Sequence, residues 1–228
     1  MKLFVWDFHG VLEKGNDAAV LKITNLALQH HGYSRRMSED ENEFLSGRRW
    51  HEYFAFLLPE AKEEEHLNLQ STCHEIDKNQ PEIISENICL NDHADLVLSN
   101  IHNSQHHQIL ISNTQPQNLE KFVNMVNIQQ YFPSTHRFGV NTHQQKKLTK
   151  QDYLNQFLQN KDPFEAIISI GDSPGDMALI DQEMTANGIG YLYVHPGKQH
   201  RAAKCHHKIN DLRLVLQEIS HEMAYQGI

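Results

Sequence analysis

Four short apolar runs, at 3–6, 109–112, 166–170 and 189–194, each stop at polar or turn-forming residues. Runs of this length with β-branched and aromatic residues read as strands. The stretches between the later runs carry helical spacing instead. Ala94, Val97, Leu98 and Ile101 recur on one face of 93–104, and 116–127 and 149–159 follow the same rule. Strand and helix in alternation predict an α/β fold, a parallel sheet flanked by helices. The first strand breaks the rhythm. A long polar stretch separates it from the next, helical in pattern at 17–31, 38–46, 49–57 and 60–78 and without a convincing long β run. Such a block is too long for a crossover. It predicts an α-helical cap inserted over 14–89, with the core formed by 1–13 and 90–228. The segment 205–219 is expected to close the fold with a last apolar run and a helix.

The first run delivers Asp7 into Asp7-Phe8-His9-Gly10-Val11-Leu12. Open α/β sheets place their chemistry at the carboxyl ends of strands, where a fixed carboxylate can attack phosphorus or hold a metal ion. Three further segments supply complementary groups. They are Ile109-Leu110-Ile111-Ser112-Asn113-Thr114, the lysine-rich run around Lys150, and Ile168-Ser169-Ile170-Gly171-Asp172-Ser173-Pro174-Gly175-Asp176.

These four segments, in this order, resemble the motifs of the haloacid dehalogenase superfamily: an Asp-x-Asp strand end, a Ser/Thr strand end, a Lys and a Gly-Asp-x-x-x-Asp loop. The resemblance spans nearly the whole chain and implies a Rossmann-like core. It also implies phosphoester hydrolysis through an aspartyl-phosphate on Asp7. A phosphate monoester repels a carboxylate, so a cation is needed to neutralise both, and Mg²⁺ suits oxygen ligands. Asp7 and Asp172 are the expected direct ligands, with the backbone carbonyl of His9, while Asp176 would hold a metal-bound water or orient the lysine. Ser112 and the N–H of Asn113 would cradle the phosphoryl oxygens. Lys150 is the preferred lysine because Thr149 and Asp152 form an N-cap pattern around it. Lys147 is the alternative, although Leu148 follows where another branch of the family has a proline, and Lys146 is the weakest candidate. Metal-free dehalogenase chemistry is disfavoured, since it would leave Asp172 and Asp176 without a purpose.

One departure matters. The family's phosphatases carry a second Asp where this chain has His9. Imidazole can protonate a leaving group and later activate water, because its reference pKa of about 6.5 lies near a working pH. A phenol has a pKa of about 10 and needs less help to leave than an aliphatic alcohol, so His9 shifts the expectation toward aryl phosphates such as phosphotyrosine in proteins. A small-metabolite phosphatase of phosphoglycolate type is the alternative enzyme, and a catalytically weak phosphate-binding domain the alternative outside enzymes. Within the superfamily the chain also looks similar to bacterial effector-type phosphotyrosine phosphatases.

The expected cap carries Arg48, Arg49 and Trp50, whose guanidiniums and aromatic ring could grip a phosphate or an aryl group and so set specificity. The competing reading is an amphipathic helix with Trp50, Phe54 and Leu57 inward and both arginines solvated. The chain has 228 residues, enough for one core with an inserted lobe. A formal charge of −9 without a basic stripe argues against nucleic acid as partner, though seventeen histidines could offset it at mildly acid pH. Cys73, Cys89 and Cys205 are odd in number and far apart, which fits a reducing compartment. No run is long enough to span a bilayer and the start does not read as a signal peptide. A cytoplasmic protein is expected, or one delivered into a host cell if it is of effector type.

Overall fold

A computed structural model describes residues 1–46, 48–140, 148–159, 161–180, 187–195 and 203–219. Its elements in chain order are β1 (Lys2–Trp6), β2 (Glu13–Lys14), α1 (Asn16–His30), α2 (Glu39–Leu45), α3 (Trp50–Leu57), α4 (Glu63–Asn79), α5 (Glu82–Ser85), β3 (Cys89–Leu90), α6 (Ala94–His102), β4 (His107–Ser112), α7 (Pro116–Met125), β5 (Arg137–Gly139), α8 (Lys150–Leu158), β6 (Ala166–Gly171), α9 (Pro174–Met177), β7 (Asn187–Tyr193) and β8 (His207–Ile209). Contacts divide the chain into two compact units, Met1–Glu13 with Leu90–Ile228, and Lys14–Cys89.

The first unit is built on a six-stranded sheet ordered β5-β4-β1-β6-β7-β8, in which every pairing is parallel. The expected α/β class, a parallel sheet with helices, is the observed one. β1 lies inside the sheet, with Val5 opposite Ile109 on one side and Ser169 on the other. Leu3, Phe4, Val5 and Trp6 are all buried, because a strand covered on both faces has no solvent side for a polar residue. On one face Leu3, Val5, Ile109, Ile111 and Ile167 form a cluster with Leu154 and Phe157 of α8 and with Phe164. Each such side chain contributes roughly 1.5–3 kcal/mol by leaving water.

Strand order also decides where chemistry can occur. From β1 the chain moves outward to β4 and β5, then crosses back to β6, β7 and β8 on the other side. The connections from β1 and β6 therefore leave in opposite directions, which opens a crevice beyond their carboxyl ends. Asp7 follows β1, and Asp172 follows β6.

The second unit holds α1 to α5. Its core includes Ile23 and Leu28 of α1, Leu45 of α2, Phe54 of α3 and Leu69 and Cys73 of α4. A reciprocal cap starts α2: the Ser38 hydroxyl accepts from the Glu41 N–H at 3.2 Å while the Glu41 carboxylate accepts from the Ser38 N–H at 2.9 Å. At the two connections between units β2 pairs with β3. Beside them the buried Asn91 side chain donates to the Val11 carbonyl at 2.8 Å and its backbone N–H to that of Leu12 at 2.9 Å.

Two strands of the six-stranded sheet escaped the sequence reading. β5 and β8 have three residues each, too few for a periodicity to register. In the closing segment β8 is followed by a 3-10 turn over Leu212–Leu216 and then by helical residues at 217–219. No helix among the described residues is long and apolar enough to cross a membrane.

Ile168 is fully buried in β6. Replacing it by Ala is expected to cost about 2–5 kcal/mol, through lost transfer energy and the cavity left behind. A fall in the urea midpoint, with the slope of the transition unchanged, checks this.

Candidate active site

The turn after β1 is closed by one acceptor. The N–H groups of Val11, Leu12 and Glu13 all reach the Phe8 carbonyl, at 3.3, 3.0 and 3.2 Å. Gly10 takes φ +77°, and a Cβ there would lie 2.4 Å from Asp172 Oδ2, so conformation and crowding both require glycine. Asp7 itself is tied to the neighbouring strand, its N–H donating to the Ile170 carbonyl at 2.9 Å.

The turn after β6 fixes Asp176. Ser173 donates to Asp176 Oδ2 from its N–H at 3.1 Å and from its hydroxyl at 2.5 Å, and Ser169 Oγ donates to the Asp176 carbonyl at 2.7 Å. A Cβ on Gly171 would stand 2.1 Å from the Asp176 Cβ. That glycine lets the aspartate fold back over the strand end.

Lys150 comes from a third element. The N–H of Asp152 donates to Thr149 Oγ1 at 3.2 Å and the N–H of Thr149 to Asp152 Oδ2 at 2.7 Å, so the expected cap starts α8 at Lys150. Lys150 and Leu154 are four residues apart and share a helix face, so the packing that buries Leu154 also turns the lysine toward the sheet. Its ammonium donates to Asp7 Oδ1 at 2.7 Å and to Asp176 Oδ1 at 2.6 Å. All three side chains are nearly enclosed, at 8%, 11% and 2% exposure for Lys150, Asp7 and Asp176.

Charge does not balance here. Carboxylate oxygens of Asp7, Asp172 and Asp176 lie within 4.8 Å of one another, and the lysine supplies a single positive charge. Burial pushes the Asp7 carboxyl up to about 7, the Lys150 charge opposes this, and Asp176 and Asp172 add to the rise. Burial alone would lower the Lys150 ammonium, but the charges of Asp176 and Asp7 and its bonds to them hold it above the ordinary lysine value. Among the described residues three carboxylates face one ammonium, an excess of negative charge, so a divalent cation with oxygen preference fits the donor set. Among the described residues this is the one group of His, Cys, Asp and Glu side chains gathered closely enough to hold a metal.

Ser112 ends β4 buried, its hydroxyl donating to Thr114 Oγ1 at 3.3 Å and accepting the Thr114 N–H at 3.4 Å. Asn113 is exposed. The His9 ring stands edge-on to Phe8 and Phe122, with centroids 5.1 and 5.2 Å away. Lys147 and Lys146 lie outside the described residues. In the second unit Arg48 and Arg49 are exposed, the Arg48 guanidinium lies 5.1 Å from the Phe44 ring centroid, and Trp50 meets His74 edge-on at 5.0 Å.

Two residues were not anticipated. Glu13 is buried beside His9, and His195, just beyond β7, places Nε2 3.5 Å from Asp172 Oδ2. The spacing of His9 and Glu13 was the one available signal for the first. Nothing in the run around His195 pointed to the second.

Comparison with known proteins settles the family. The sequence pattern of haloacid dehalogenase-like hydrolases matches residues 4–179. The chain belongs to this family. No curated protein matches it significantly. Solved structures share the fold at low identity. A haloacid dehalogenase-like family protein from Streptococcus pneumoniae is 15% identical with a TM-score of 0.73, covering 95% of this chain and 97% of its own. A Thermotoga maritima protein provisionally assigned as a β-phosphoglucomutase is 16% identical with a TM-score of 0.69, covering 97% and 99%. A family hydrolase from Deinococcus radiodurans, solved with bound phosphate and sodium, is 13% identical with a TM-score of 0.64, covering 96% and 95%.

In this hydrolase, Lys150→Met is expected to leave Asp7 and Asp176 facing each other without a cation. Removing one partner of a buried ion pair costs about 3–5 kcal/mol. Urea unfolding in the presence of chelator measures the loss, and an unchanged midpoint would show that the lysine is not paired as described.

Proposed function

We propose that the protein is a Mg²⁺-dependent phosphomonoester hydrolase that works through an aspartyl-phosphate on Asp7. The observation that carries this reading is the Lys150 ammonium held between Asp7 and Asp176, with Asp172 alongside. An oxygen of Asp7 attacks phosphorus and displaces the leaving oxygen, which takes a proton from His9. The phosphoryl group then resides on Asp7. His9 next accepts a proton from a water that attacks phosphorus, and inorganic phosphate departs with Asp7 regenerated. Lys150 offsets charge on Asp7, and Ser112 Oγ and the Asn113 N–H donate to phosphoryl oxygens. Mg²⁺ held by Asp7 and Asp172, with the His9 carbonyl and with Asp176 in support, would neutralise the charge that otherwise keeps nucleophile and phosphate apart.

Two substrate classes divide the reading. His9 in place of an acidic residue supports aryl phosphates, including phosphotyrosine in proteins, because a phenol leaves with little protonation. The buried carboxylate beside His9 supports the second class, small aliphatic phosphoesters, since a backed imidazole can serve a poorer leaving group. The helical unit, with Arg48, Arg49 and Trp50, is the candidate for choosing between them.

Hydrolysis of para-nitrophenyl phosphate, a phosphotyrosine peptide and a panel of aliphatic phosphoesters is expected to require Mg²⁺ and to vanish in Asp7→Asn. Inability to turn over any phosphoester with Mg²⁺ present would sink the enzyme reading and leave a phosphate-binding domain. Metal binding has its own readout. At a Mg²⁺ concentration a hundredfold above its dissociation constant the folded protein should gain about 2.7 kcal/mol, and Asp172→Asn should lose most of that gain. Thermal unfolding with and without chelator measures both.

A further inference from the structure

Glu13 is the buried carboxylate that no step above uses. It is 1% exposed, and its Oε1 lies 2.7 Å from His9 Nδ1 and 3.4 Å from the Gly10 N–H. Its Oε2 is buried and has no hydrogen-bond partner among the described residues. Burying a carboxylate costs several kcal/mol unless donors compensate, so this oxygen pair depends on the imidazole. An ionised carboxylate only accepts hydrogen bonds, so His9 must donate from Nδ1. A neutral ring with its proton on Nδ1 presents Nε2 as the atom that can accept one.

The fold builds this contact deliberately. Three N–H groups converge on the Phe8 carbonyl and curl the chain until residue 13 bridges back to residue 9. Phe8 and Phe122 hold the ring edge-on, so its plane is set by packing and its tautomer by Glu13.

We propose that Glu13 is a positioning residue, acting through His9: it holds Nδ1–H of the imidazole on the buried carboxylate, so that Nε2 is the ring atom that exchanges a proton with the leaving oxygen and with water. The proposal rests on the phosphatase reading for its purpose, though not for its geometry. The expected consequence is graded by leaving group. Where protonation decides the rate, as with an alkyl phosphate, Glu13→Gln should lower kcat by about ten- to a hundredfold with KM little changed. With para-nitrophenyl phosphate, whose leaving group departs as the anion, the loss should be under about threefold.

The test has two arms. The first is ¹⁵N–¹H correlation NMR of the His9 ring in the unmodified, metal-free protein at alkaline pH, where the Nδ1–H tautomer is expected. Observing the Nε2–H tautomer overturns the proposal whether or not any variant folds. The second compares kcat for aliphatic and nitrophenyl substrates in Glu13→Gln, with Glu13→Asp as the conservative variant. A selective loss with the alkyl substrate, partly restored in Glu13→Asp, supports positioning. Equal losses on both substrates mark a merely structural residue and overturn it. If the unmodified protein hydrolyses nothing, the phosphatase reading fails on its own and the NMR arm still decides the geometry.

Discussion

The structure turns on an electrostatic imbalance held where water is scarce. Carboxylates from the ends of two adjacent strands meet one ammonium from a helix start, and among the described residues negative charge there outweighs positive. Such a cluster opposes folding, since carboxylates repel more strongly as the local dielectric falls. It persists because each member arrives on an element whose burial is secured elsewhere: Asp7 by β1, Asp176 by the Ser173 and Ser169 hydrogen bonds, Lys150 by the Leu154 and Phe157 packing of α8. The core thus supplies the stability that the cluster consumes. The raised Asp7 carboxyl is the local sign of that tension.

Strand order makes such a gathering possible. With β1 and β6 adjacent and their connections leaving on opposite sides, the turns after them diverge and leave a crevice beyond their carboxyl ends. Glycine at 10 and 171 lets the two turns approach, since side chains at either point would strike Asp172 or Asp176. The same two positions therefore govern both backbone path and carboxylate spacing.

Much of this was readable beforehand, for reasons specific to certain residues. β1, β4, β6 and β7 announced themselves because central strands are covered on both faces and read as unbroken apolar runs. The start of α8 at Lys150 was readable because Thr149 and Asp152 form a reciprocal cap, a signal carried wholly by local sequence. β5 and β8 were invisible because three residues hold no period. Glu13 and His195 were missed for a different cause. Their significance arises from a turn and a strand end that bring residues beside the site, and neither a lone glutamate nor a lone histidine has a pattern to recognise.

The pairing of His9 with Glu13 bears on how such a site can do without an acidic residue at position 9. Another carboxylate there would deepen a deficit of positive charge that already raises Asp7. An imidazole carries exchangeable protons without adding negative charge, but a free ring would waste its advantage by rotating and switching tautomer. Glu13 restrains it, and places the compensating carboxylate one ring further from the reacting centre, behind the Phe8 carbonyl turn. Anionic character is thereby retained through the ring rather than beside the phosphoryl oxygens. In the reading proposed above, a site arranged this way trades a short anionic hydrogen bond for a relayed one.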